Sequence, residues 1–152
     1  MENMFHIGMD DFCGIAEEVL GKGNNLSFIA GGASMSPFIK DGDAVVVQSA
    51  QSLRIGDIAL CKTPEGRLVL HRVIKVTAYG IVTRGDACFA DDGLTSFENT
   101  LGRVVRVSGR GFNFHLRFPF NILIASGLLR PSRISGRPFL FSLAKRLASF
   151  LG

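Results

Sequence analysis

Apolar positions change their period twice along this chain. Near the start, Phe12, Ile15 and Val19 recur at helical spacing on one face. Asp10 or Asp11 is placed to cap this helix, and Gly21 or Gly23 to end it. From residue 26 the pattern turns to short runs rich in β-branched residues: "LSFIA" (26–30), "AVVVQ" (44–48), "DIALCK" (57–62), "RLVLHRVIKVT" (67–77), "GIVTR" (80–84) and "LGRVVRVSG" (101–109). The turns "DGD", "IGD", "TPEG" and "AYG" punctuate them, a spacing that predicts a mainly-β, curled antiparallel domain rather than a βαβ architecture. The 67–77 run is apolar at both odd and even positions, so burial on both faces is expected there. "FNFHLRF" (112–118) alternates cleanly and ends at Pro119.

Past Pro119 the helical period returns. "FNILIASGLL" (120–129) is apolar, and "FLFSLAKRLASFLG" sets Phe139, Leu143, Leu147 and Phe150 against Lys145 and Arg146. The expected organisation is an N-terminal amphipathic helix over 1–24, a β-domain over 25–118, and a basic tail of amphipathic helices over 119–152.

Charge sharpens this division. All thirteen acids lie in residues 1–98, whereas residues 99–152 hold nine bases and no acid, a local charge of +9. A block of one sign repels itself unless an anionic partner lies nearby. Its apolar helical faces suit an anionic membrane surface better than nucleic acid. No run reaches the roughly 20 apolar residues needed to span a bilayer, and the acidic N-terminus lacks the form of a secretory signal. Peripheral attachment on the cytoplasmic side is therefore expected. With 47% hydrophobic residues the chain can build a real core, which excludes disorder. Three cysteines without a CxxC pair point to reduced, mostly buried thiols, with no disulfide, metal or cofactor.

Three stretches carry candidate chemistry. "GGASMSPFIKDGD" (31–43) places Ser34 in a turn stiffened by Pro37, with Gly31 and Gly32 letting backbone approach a substrate. By itself Ser34 reads as a turn former. His71 lies within "LVLHRVIKV", where a histidine is either a packed core residue or a general base. "RGDACFADDG" (84–93) offers Asp86, Asp91 and Asp92, in a turn or a weak cation site.

In this order the stretches resemble the boxes of type I signal peptidases, the S26 serine peptidases of the S24/S26 superfamily. "SMSP" followed by "FIKDGDAVVV", then "IGDIAL", "LHRVI" and "TRGDACFADDG" with "ENTLGRVVRV" carry the likeness over residues 27–108. Housekeeping bacterial members have lysine before the Arg-Val of the base strand. His71 stands there in this chain, which is similar to the endoplasmic-reticulum, archaeal and sporulation-type branch. The resemblance implies a serine endopeptidase cleaving a leader or precursor peptide after a small residue, with Ser34 as nucleophile and His71 as general base. It also implies that Asp92 supports the histidine, Asp86 is a further required carboxylate, and the N–H groups of Ser34 and Gly32 form an oxyanion hole. Met35, Ile39 and Leu70 would line the pocket for the residue before the scissile bond. Two departures stand out: Ala87 and Cys88 follow the Gly-Asp, and the usual N-terminal anchor has no counterpart. The basic tail or an anchoring partner subunit would take the anchor's place. A catalytically silent adaptor with this fold is the alternative. A self-cleaving S24 repressor would need a lysine base and a DNA-binding helix-turn-helix, which the residues before 26 are too few to supply.

Overall fold

A computed structural model of the chain describes residues 9–109 and 112–115. One helix, α1 (Met9–Gly21), precedes strands β1 (Leu26–Ile29), β2 (Ala44–Gln48), β3 (Ile58–Lys62), β4 (Leu68–Val76), β5 (Gly80–Arg84), β6 (Leu94–Ser96), β7 (Thr100–Gly109) and β8 (Phe112–His115). The expected C-terminal helices of 119–152 lie outside the described residues.

The helix is already running at Met9, so Asp10 and Asp11 sit in its first turn, where acidic groups favour the helix dipole, rather than at its cap. Its end is Gly23. That residue takes a φ of 77°, its N–H bonds to Leu20 O at 2.9 Å, and the following Asn24 N–H reaches back to Val19 O at 3.1 Å. Only glycine adopts this left-handed closure cheaply. The buried face is rotated from the expected one. Cys13, Ala16 and Leu20 are buried and Phe12 and Val19 flank them, while Ile15 is 40% exposed.

All strand pairs are antiparallel. Seven strands follow one path, β1-β2-β7-β3-β4-β5-β6, and β8 pairs with β7 off that path. Since β2 occupies one side of β7 over Arg103–Ser108, β8 must take the other side, beyond the point where β3 stops pairing at Arg103. The expectation of a curled domain is corrected: the sheet is not curled. The path is open, and its edge strands β1 and β6 make no pairing with each other among the described residues. They are also its shortest strands, at four and three residues.

Alternation along β3 separates two apolar layers. Ile58 and Leu60 face a core shared with Ala16 and Leu20 of α1, Val45, Val47, Val104 and Val107. Ala59 and Cys61 face the opposite layer with Leu53, Val73 and Ile81. Burial on both faces, expected of β4, belongs instead to β3. In β4 only Arg72 and Val73 are buried, because its far end carries Lys75 and Val76 into solvent.

Candidate active site

Ser34 lies in the long connection between β1 and β2. Ala30 N–H donates to Asp43 O at 2.8 Å and Gly42 N–H to Ala30 O at 2.9 Å, closing the base of the loop. Within it, the N–H groups of Phe38 and Ile39 both reach Met35 O, at 3.1 and 3.0 Å. Met35 and Ile39 are 4% and 2% exposed and belong to the α1-side core. Burying two such side chains contributes on the order of 2 kcal/mol each, enough to pin the turn. Met35 and Ile39 thereby anchor the Ser34 turn to the core. Leu70 is half-buried and packs on the same core.

The expected oxyanion donors divide. Gly32 N–H donates to Asp41 Oδ1 at 2.9 Å. Among the described residues no acceptor stands against the Ser34 N–H.

His71 is on β4 opposite Ala59. Strand β5 pairs with β4 from Arg72 onward, so the 68–71 half of β4 is left uncovered by β5. The chain leaving β5 fills that place. Gly85 lies against the imidazole so closely that a methyl group there would stand 3.2 Å from His71 Nε2, 2.7 Å from Ser34 O and 2.7 Å from Cys88 Sγ. Ala87 N–H then donates to Ser34 O at 2.9 Å, tying the loop to the serine turn. The loop returns at Asp92, whose N–H meets Thr83 O at 2.9 Å.

Asp92 closes the other side of the ring. His71 Nδ1 is 2.6 Å from Asp92 Oδ2, and Thr83 Oγ1 donates to the same oxygen at 2.7 Å. Burial alone would raise the Asp92 pKa, but the hydrogen bonds from His71 and Thr83 and the His71 charge outweigh it and hold the carboxyl below its ordinary range. An ionised carboxylate can only accept, so His71 carries its proton on Nδ1. In the neutral ring the Nε2 lone pair then faces Gly85 and the Ser34 turn.

The other carboxylates go elsewhere. Asp86 accepts from Arg72 Nε and Nη2 at 2.7 and 2.6 Å, both side chains being at most 2% exposed. Arg72 Nη1 also reaches Gly56 O at 2.9 Å, and the Phe38 ring lies 5.6 Å from its Cζ. Asp86 therefore meets Arg72 and not His71. Asp91 sits 3.3 Å from Arg84. Arg72, Thr83 and Gly85 escaped the sequence reading. The signal for Arg72 was available, since a charge in the middle of an apolar strand requires a buried counter-ion.

The thiols differ from one another. Cys13 and Cys61 are buried, and burial pushes the Cys61 thiol up to about 11. Two of the three thiols are buried, as expected, and Cys88 is exposed on its surface loop. Among the described residues no cluster of His, Cys, Asp and Glu is arranged to hold a metal ion, and no helix is long and apolar enough to cross a membrane.

The arrangement can accept a proton at Nε2, stabilise the resulting imidazolium with Asp92, and offer a backbone N–H at Ser34. No curated protein matches this sequence. Residues 5–82, just over half of the chain, match the family described as Peptidase S24-like, a span that contains Ser34 and His71.

Proposed function

We propose that this chain, which belongs to the Peptidase S24-like family, is a serine endopeptidase working through Ser34, His71 and Asp92. One observation carries the reading: Gly85 bridges the serine turn and His71 Nε2, while Asp92 holds the opposite ring nitrogen at 2.6 Å. His71 Nε2 takes the hydroxyl proton as Ser34 Oγ attacks the peptide carbonyl carbon. The tetrahedral oxyanion is met by the Ser34 N–H, and Asp92 stabilises the imidazolium without taking its proton. His71 returns that proton to the leaving amine, then activates water to hydrolyse the acyl-serine ester.

Within the wider S24/S26 superfamily, the proposed type is the S26 signal peptidase with a histidine base, acting on a leader or precursor peptide after a small residue. The ordered boxes "SMSP", "IGDIAL", "LHRVI" and "TRGDACFADDG" support it. Attachment to an anionic membrane surface is part of the proposal, supported by the +9 charge of residues 99–152. Sedimentation of the full chain with anionic vesicles at low but not high salt tests that part; no binding at low salt removes it.

A fluorophosphonate probe followed by peptide mapping tests the chemistry. Wild type is expected to carry the probe on Ser34, and Ser34→Ala and His71→Ala to carry none. Equal labelling of Ser34→Ala would overturn the assignment. Cleavage mapping on a mixed peptide library reads the subsite, with alanine, glycine or serine expected before the cut.

A further inference from the structure

Thr83 is a polar residue in a place suited to valine. It stands on β5 opposite Val73, in the neighbourhood of Ile81, and is 1% exposed. A buried hydroxyl is costly unless it is bonded. Its partner is Asp92 Oδ2 at 2.7 Å, the oxygen that also lies 2.6 Å from His71 Nδ1. Backbone adds a second tether between the same residues, Asp92 N–H to Thr83 O at 2.9 Å.

The need for a tether comes from the loop. Residues 87–94 are all exposed, and the Asp92 side chain itself retains 30% of its accessible surface. A carboxylate carried on such a segment has many rotamers to visit, and ordering it costs entropy. Thr83 belongs to a hydrogen-bonded strand outside that loop.

We propose that Thr83 is a positioning residue: its hydroxyl holds the Asp92 carboxylate against His71 Nδ1, and so keeps Nε2 turned toward Ser34. The inference rests on the peptidase reading for its kinetic consequence, though not for its geometric one. Thr83→Val keeps the shape and removes the donor. Thr83→Ser keeps the donor and loses a methyl.

Two readouts on the full-length protein test this. In NMR of protein labelled with ¹⁵N-imidazole histidine, assigned with His71→Ala, the His71 Nδ1–H proton is expected in wild type and Thr83→Ser. In Thr83→Val it should be lost to exchange with water. The rate of fluorophosphonate labelling at Ser34 should fall roughly tenfold in Thr83→Val, the kinetic equivalent of one weakened charge-assisted hydrogen bond, and stay within about twofold in Thr83→Ser. If Thr83→Val does not fold, Thr83→Ala enters the same measurements. A hydroxyl-less variant that melts lower but keeps both the Nδ1–H signal and the labelling rate makes Thr83 merely structural and overturns the proposal. If wild-type Ser34 takes no probe, the peptidase reading fails, and the Nδ1–H comparison still decides the role of Thr83.

Discussion

Replacing Gly85 by alanine should damage the site as well as the fold. The new methyl would stand 2.7 Å from both Ser34 O and Cys88 Sγ, and 3.2 Å from His71 Nε2. Ordinary carbon–oxygen contacts begin at about 3.3 Å, so the serine carbonyl and the loop must separate by roughly 0.6 Å. The Cys88 side chain is exposed and can rotate away. Ser34 O is backbone, tied to Ala87 N–H at 2.9 Å above the buried Met35 and Ile39, and has little room to yield. Relieving the strain costs about 1–3 kcal/mol of stability, as overpacking usually does. The kinetic cost is of similar size, since a misplacement of about 1 Å between nucleophile and base can cost on the order of a hundredfold, about 2.7 kcal/mol. Labelling of Ser34 in Gly85→Ala should therefore fall roughly ten- to a hundredfold, with the urea midpoint lowered in keeping with about 1–3 kcal/mol of strain. Adding Cys88→Ala removes one of the three close contacts and should not restore the rate, because the carbonyl contact remains. Wild-type labelling in a folded Gly85→Ala protein would refute the idea that Ser34 and His71 meet across this glycine.

Three further outcomes follow from the same geometry. Asp86→Ala leaves Arg72 charged and buried, and should lower stability by about 3–5 kcal/mol in urea unfolding; an exposed-like loss under about 1 kcal/mol would mean the pair is not sealed. Asp92 has a folded pKa below its unfolded one, so its contribution to stability is fully present above the ordinary aspartate range, near 3.9, and is lost as pH falls through the lowered native value. The stability difference between wild type and Asp92→Asn, measured by denaturation, should accordingly shrink in acid, and a gap that widens there contradicts the assignment. Iodoacetamide should alkylate Cys88 in the folded protein, spare buried Cys13 and Cys61, and slow labelling of Ser34; Cys88→Ala should be indifferent to the reagent, and a sensitive Cys88→Ala protein would place the effect elsewhere.

What the sequence determined by itself was local. Runs of β-branched residues between glycine-rich turns are enough to specify strands, because side-chain crowding and turn dihedrals act over a few neighbours. All six runs and the start of "FNFHLRF" became strands, and Gly23 closed the helix. Strand β6 escaped notice because "LTS" is too short to show a period. Ser34, His71 and the 84–93 stretch stood out only through the resemblance of their ordered boxes to a known family, since each alone reads as a turn or a core residue. Tertiary structure decided everything that depended on which groups meet. Three aspartates fall within seven residues, and only the path of the loop around the uncovered half of β4 sends Asp92 to His71 and Asp86 to Arg72. The Gly32 N–H was directed to Asp41, nine residues away, and the helix face was set by what lay beneath it. Whether the sheet curls is likewise a matter of how distant strands approach, and β1 and β6 stand at opposite ends of its strand order. Hydrogen bonds and desolvation act through space over a few ångströms, so residues 14 and 21 positions apart become partners only when the fold has placed them there.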